Sequence, residues 1–288
     1  MIERVFILGT GLLGASAGLA LRAAGFNGSV IGWDKDQRQT QDALRLKAIQ
    51  SIALDPFEAA QASQLILLAT PVFAILDWME QLAPVLNASH LVTDLGSTKA
   101  QITAAANRLY NQPGQAAFLP GHPMAGKEVS GAAEADGALF RGAVWIFTGD
   151  TGPPPTISPS ETDIGREWRQ WVQAMGCRTI DLDAGRHDEL VAWVSHLPQF
   201  LATALTALLE TEVGDAPELK AVGGRALREM TRLGSSPYSM WRDVAYTNTE
   251  AVSKAIQALE QRLTHLRENL RTPELREEFE IANRFRKG

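Results

Sequence analysis

The sequence predicts two domains, an α/β doubly wound sheet followed by an all-helical part. Three observations carry that expectation. Short β-branched and apolar runs alternate with helical stretches from residue 5 to residue 119, the pattern of βαβ units. One run, Leu65 to Ala69, is apolar throughout, as befits a parallel strand covered on both faces. From Asp188 onward the chain reads as helix, with no further strand pattern.

The elements follow in order. Val5 to Leu8 is a first strand ending at Gly9, and a helix from Leu12 to Ala24 follows, closed by Gly25. Ser29 to Asp34 is a second strand. Residues 37–47 read as helix and Ala48 to Leu54 as a short strand region. Leu65 to Ala69, His90 to Asp94 and Ala117 to Leu119 are further strands. Residues 149–165, with Pro153, Pro154, Pro155 and Pro159, read as an exposed loop without chemistry of its own. Glu167 to Met175 reads as helix and Cys177 to Leu182 as a last strand. The expected domains are therefore 1–183 and 184–288, with helices at 186–212, 217–233 and 239–270. The charged segment 271–288 reads as a short solvated helix or tail.

Composition bounds the function class. The 288 residues are 45% hydrophobic and 21% charged, ordinary for a globular protein able to bury a sizeable core. The single cysteine, Cys177, excludes an intrachain disulfide and fits a reducing compartment, so the cytoplasm is expected. Net charge is −6 with no basic cluster, so no nucleic-acid partner is expected. No apolar run reaches the roughly 18 to 20 residues that span a bilayer. The N-terminus, MIERVFILGTG, has no signal-peptide architecture. Neither a membrane partner nor a metal is expected.

Gly9–Thr10–Gly11–Leu12–Leu13–Gly14 matches G-x-G-x-x-G between a strand and a helix, the context a dinucleotide fingerprint requires. Gly9 permits the tight turn, Gly11 lets backbone approach a pyrophosphate, and Gly14 lets helix pack on strand. The helix N-terminus offers free N–H groups to the phosphates. Asp34, twenty residues after Gly14, suits the ribose hydroxyls and repels a 2′-phosphate, which favours NAD over NADP. Lys35 and Arg38 lie close by, so the strictness of that preference stays open. The fold class expected is thus an N-terminal Rossmann-type dinucleotide-binding sheet with an all-α C-terminal domain.

Four segments then carry a resemblance. They are residues 9–21, GTGLLGASAGLAL; residues 94–99, DLGSTK; residues 121–131, GHPMAGKEVSG; and the pair 187–198, HDELVAWVSHLP, with 229–248, EMTRLGSSPYSMWRDVAYTN. Over essentially its whole length the chain resembles the prephenate/arogenate dehydrogenase family of tyrosine biosynthesis. The resemblance implies oxidative decarboxylation of a small cyclohexadienol, with hydride transfer to NAD+, by a homodimer whose helical domain dimerises. It implies His122 as the acceptor of the alcohol proton, in keeping with an ordinary pKa near 6.5, and Ser97 as its hydrogen-bond partner near the nicotinamide. It also implies His196 on the substrate side and Arg232 as the grip on a substrate carboxylate. Glu128 matches an acidic residue near the cleft, and Gly9, Gly11, Leu12, Leu13, Gly14, Asp34, Thr70 and Ser97 form the cofactor set. His187 also matches the family but reads as structural. Met240 and Trp241 read as helix–helix core, although the family places them at a subunit interface. Gln199, where the family often has a second histidine, and Glu229, where it has Asp, depart from the pattern.

Two other readings remain. A two-domain hydroxyacid dehydrogenase would need a catalytic lysine in the helical part, for which Lys220 and Lys254 are the candidates. A non-catalytic NAD-sensing module would keep the glycine loop and Asp34 but would not need Ser97, His122 and Arg232 together. The choice between prephenate and arogenate, and any inhibition by tyrosine, are not legible.

Overall fold

The computed structural model describes residues 1–149, 158–214 and 216–287. The Pro-rich stretch at 150–157 lies outside the described residues. The first domain is built on six parallel strands: β1 Arg4–Leu8, β2 Ser29–Trp33, β3 Ser51–Ile52, β4 Leu65–Leu68, β5 Leu91–Asp94 and β6 Ala117–Leu119. Their order is β3-β2-β1-β4-β5-β6, and every neighbouring pair is parallel. The residues of β4 and β5 are buried throughout, so these strands can be apolar on both faces. Helices α1 Leu12–Ala23, α2 Gln37–Arg45, α3 Pro56–Gln61, α4 Val72–Leu82 and α5 Ala100–Leu109 connect them. Two apolar clusters result, one on each side of the sheet.

The strand order reverses between β1 and β4. In such sheets ligands bind outside the carboxyl ends of the strands at this switch point. The glycine loop after β1, Thr70 after β4 and the 94–99 turn after β5 all stand on that edge.

A second sheet was not foreseen. β7 Gly121–Pro123, β8 Val144–Phe147 and β9 Arg178–Asp181 form it, β7 antiparallel and β9 parallel to β8. His122 therefore sits in a strand, pinned opposite Ile146. Helix α6 Asp163–Ala174 precedes β9 and buries Trp168.

Beyond β9 the chain is helical: α7 Ala184–Val191, α8 Leu197–Val213, α9 Leu219–Val222, α10 Arg225–Thr231, α11 Tyr238–Thr247, α12 Thr249–Glu268 and α13 Glu274–Lys287. The Asp183 side chain caps α7 by accepting from the Arg186 N–H at 3.0 Å. Three expected helices are interrupted, each for a local reason. Pro198 has no N–H, and the turn before it, Ala192–His196, widens to π-helical spacing. Gly223 and Gly224 separate α9 from α10. Asn248, with φ −133° and ψ 34°, separates α11 from α12.

Residues 184–213 nevertheless form one continuous helical run of 30 residues. By length and composition it could cross a membrane, against the expectation that no run is long enough. The polar side chains His187, Asp188, His196 and Gln199 of this run are instead buried and hydrogen-bonded inside the protein. The run is the central helix of the second domain.

Candidate active site

A cleft of about 570 Å³ opens where the carboxyl edge of the sheet meets the helical domain. Gly11, Leu12 and Leu13 line its floor, with Thr70 and Ser97 beside them. Gly9 has φ +98°, a conformation that favours glycine, and a Cβ there would lie 2.7 Å from the Ala69 carbonyl. A Cβ on Gly14 would lie 1.9 Å from the Gly9 oxygen, so this glycine sets the approach of α1 to β1. Gly11 faces open space, and α1 begins there without a side-chain cap. Its first N–H groups are left for a ligand. Thr70 Oγ1 is buried and has no partner among the described residues. An open glycine, uncapped amides and an orphan hydroxyl suit a dinucleotide. Asp34 stands outside this lining. Its carboxylate accepts from the amides of Thr10 at 2.9 Å and Asp36 at 3.0 Å, buttressing the loop, while burial raises its pKa.

The 94–99 turn carries a buried ion pair. Asp94 and Lys99 are both fully buried and bonded to each other. Asp94 also accepts from the amides of Gly96 at 2.7 Å and Gly121 at 3.1 Å. Lys99 Nζ donates to the Gly121 oxygen at 2.8 Å. The pair thus clamps the start of β7, and with it His122. Desolvation lowers the Lys99 pKa, although Asp94 opposes it.

His122 lines the cleft and is 8% exposed. Its Nδ1 lies 2.8 Å from His187 Nε2, and His187 Nδ1 lies 2.7 Å from Asp188 Oδ1. Asp188 also accepts from the amides of Lys99 at 2.7 Å and Ala100 at 2.9 Å, capping α5 from the other domain. Two expectations change here. Among the described residues no hydrogen bond joins Ser97 to His122, whose Nδ1 faces His187 instead. His187 is also more than a packing residue, since it touches His122 directly. The His122 pKa moves as well. Burial, then His187, Lys99 and His196, hold it well below the ordinary value of 6.5.

The helical domain supplies the opposite wall. His196 ends the π-helical turn and is 1% exposed. Asn248 Nδ2 lies 3.3 Å from its Nδ1 and also donates to the Asp188 carbonyl at 2.8 Å. An amide nitrogen only donates, so Nδ1 accepts and the neutral ring carries its proton on Nε2. That Nε2 and the Trp241 Nε1 are buried without partners among the described residues, and both residues line the cleft. Burial lowers the His196 pKa to about 4. Met240 and Trp241 line the cleft, and Trp241 also packs edge-on against Phe200 of α8, as a helix–helix contact would.

Arg232 and Glu128 form an ion pair that bridges the two sides of the cleft, with side chains 60% and 26% exposed. The turn carrying Arg232 is held by Gln199, which donates to the Leu233 oxygen at 2.7 Å and accepts from Ser236 Oγ at 3.0 Å. Gln199 thus uses both ends of its amide where the family often has histidine. Lys254 lines a different depression, between α7 and α12, and the Lys220 side chain lies outside the described residues.

Two family models match the chain. One, described as the nucleotide-binding domain of prephenate dehydrogenase, covers residues 17–156. The other, described as its dimerization domain, covers residues 183–283. The prephenate dehydrogenase of Lactococcus lactis is 28% identical over 92% of this chain and 70% of its own length. Among solved structures, an Aquifex aeolicus prephenate dehydrogenase in complex with hydroxyphenyl propionate and NAD+ superposes with a TM-score of 0.82 at 26% identity. That likeness covers 100% of this chain and 96% of the other. A Synechocystis arogenate dehydrogenase gives 0.75 at 27% identity, covering 99% of both chains.

Proposed function

The chain belongs to the prephenate dehydrogenase family, and from that premise and the cleft geometry we infer that it oxidises and decarboxylates prephenate or arogenate with NAD+. The observation that carries the reading is the convergence of His122, His196 and Arg232 on a cleft whose floor is the glycine loop. NAD+, when bound, supplies the hydride acceptor. Gly11, Leu12, Leu13, Thr70 and Ser97 would hold it, with Gly9 and Gly14 shaping the loop and Asp34 at the ribose end.

His122 takes the alcohol proton on Nε2 as the carbinol becomes a carbonyl. The bond from the ring to its carboxylate then breaks, CO2 leaves, the electron pair moves through the ring to the carbonyl oxygen, and that oxygen takes back a proton as the ring becomes a phenol. Arg232 grips a substrate carboxylate. Its present partner Glu128 is easily given up, because a part-exposed ion pair is worth only about 0–1 kcal/mol. His196 and Trp241 aim N–H donors at the substrate's oxygens. The rival hydroxyacid reading is weakened because Lys254 lies away from the glycine loop.

We take residues 1–183 as the cofactor domain and 184–288 as the substrate and dimerisation domain of a cytoplasmic homodimer. Leu208, Leu263, Leu270, Phe279 and Phe285 are exposed on the helical part, and α13 buries none of its residues. Such faces call for a partner. Steady-state turnover of NAD+ with prephenate and with arogenate tests the reading. Reduction of NAD+ with either, and release of CO2, is expected. No turnover with both would overturn it.

A further inference from the structure

We infer that Asp188, acting through His187, holds His122 in the tautomer whose Nε2 is bare toward the cleft, and that His187 takes up the positive charge when that nitrogen gains a proton. The inference rests on the reading of His122 as the proton acceptor and adds two positioning residues to it.

The argument is a chain of donors and acceptors. An ionised carboxylate only accepts. Asp188 Oδ1, 2.7 Å from His187 Nδ1, therefore places the His187 proton on Nδ1. The Nε2 of neutral His187 is then a lone pair. It lies 2.8 Å from His122 Nδ1, which must be the donor. Neutral His122 consequently has no proton on Nε2. His187 is fully buried, Asp188 5% exposed and His122 8% exposed, so water competes poorly for these bonds. His196, across the cleft, is set the opposite way by Asn248. The cleft thus presents one bare imidazole nitrogen and one imidazole N–H.

The same chain gives the proton a route. A proton arriving at His122 Nε2 makes that ring a cation beside Lys99 and His196, in a buried site that disfavours charge. Transfer of the Nδ1 proton to His187 Nε2 moves the positive charge next to the Asp188 carboxylate and returns His122 to neutrality. No atom is left over, because one proton enters at Nε2 and one leaves at Nδ1. The charged or titratable groups around His187 are His122, Asp188, Lys99, Asp94 and His196. Lys99 already holds Asp94 and the Gly121 oxygen, so Asp188 is the carboxylate bonded to the relay.

Nitrogen NMR of histidine-labelled protein reads the tautomer without any assay, so failure here is separable from failure of the proposed reaction. His122→Asn assigns the signal. The expected result is a protonated Nδ1 and a bare Nε2 on His122 at neutral pH. A protonated Nε2 would overturn the inference. In kinetics, His187→Gln should lower kcat about tenfold or more, with KM for both substrates changed less than about twofold. Its acid limb should move to lower pH, because the glutamine cannot take the charge. Wild-type kcat and an unmoved pH profile in that variant would also overturn the inference. Should His187→Gln not fold, the NMR of the unmodified protein decides.

Discussion

At the scale of single residues the site makes three claims that can be weighed. His122→Asn keeps the shape of the cleft but removes the acceptor, and kcat should fall by about 10² to 10⁴. A variant retaining more than about a tenth of the rate would show that the proton goes elsewhere. As the proposed proton acceptor His122 has to be neutral, and burial beside His187 and Lys99 holds its folded pKa well below 6.5. The rate should therefore hold as pH falls through 6.5 and be lost only at more acid values, which a kcat/KM profile will reveal. Arg232→Gln should weaken the cyclohexadienol by about 2–4 kcal/mol, since the substrate carboxylate then lies unpaired in the cleft. KM for NAD+ should hardly move, and parallel titrations of both substrates separate this from misfolding. Asp34→Ser should narrow the preference for NAD+ over NADP+ in kcat/KM, and an unmodified enzyme that prefers NADP+ would contradict the assignment. His122 and Arg232, which line the cleft, each sit in a local motif, as does Asp34, which stands outside the lining. His187 begins a matched segment too, but its contact with His122 was not legible. Its partner is 65 positions away in the chain, and a histidine followed by an aspartate on a helix carries no local mark of its role. Trp241 was legible in part, because the ring packs on α8 as an aromatic of an amphipathic helix does, while its place on the cleft wall depends on neighbours distant in the chain.

At the scale of elements, β4 was readable as an uninterrupted apolar run because it is buried on both faces, and the alternation of short strand and helix patterns located the others. The second sheet was not, since β7 has three residues including a proline and β8 only four. The π-helical widening before Pro198 and the helix breaks at Gly223 and Asn248 follow from residue types that sequence periodicity averages over. Asn248 in particular leaves the helix because its side chain is used on His196 and on the Asp188 carbonyl. The clamp between β5 and β7 gives a prediction at this level. Lys99→Met leaves the Asp94 charge buried without its partner and should cost about 3–5 kcal/mol of stability. A denaturant melt measures it. A loss below about 1 kcal/mol would mean that the amides of Gly96 and Gly121 suffice for Asp94.

At the scale of the whole molecule, the exposed apolar helices predict a dimer mass by light scattering at micromolar concentration, and a monomer would count against the assembly. The buried histidines predict how stability depends on pH. In the unfolded chain they bind protons near pH 6.5. In the folded chain His196 does so only near 4, and His122 and His187 are likewise lowered. Folded pKa values below the unfolded ones mean that stability is full above 6.5 and declines as pH falls toward 4. Calorimetric melts across that window should show the decline.

The cap that Asp188 places on α5 has a consequence for how the two halves of the protein separate. The amides of Lys99 and Ala100 belong to the sheet domain, yet their acceptor comes from the helical one. Whenever the halves part, those two amides lose their partner while β1, β4 and β5 stay intact. Their hydrogen–deuterium exchange in the full chain should thus clock the opening of the joint, faster than strand amides and slower than surface loops. Ligands that draw the domains together should slow these two sites selectively.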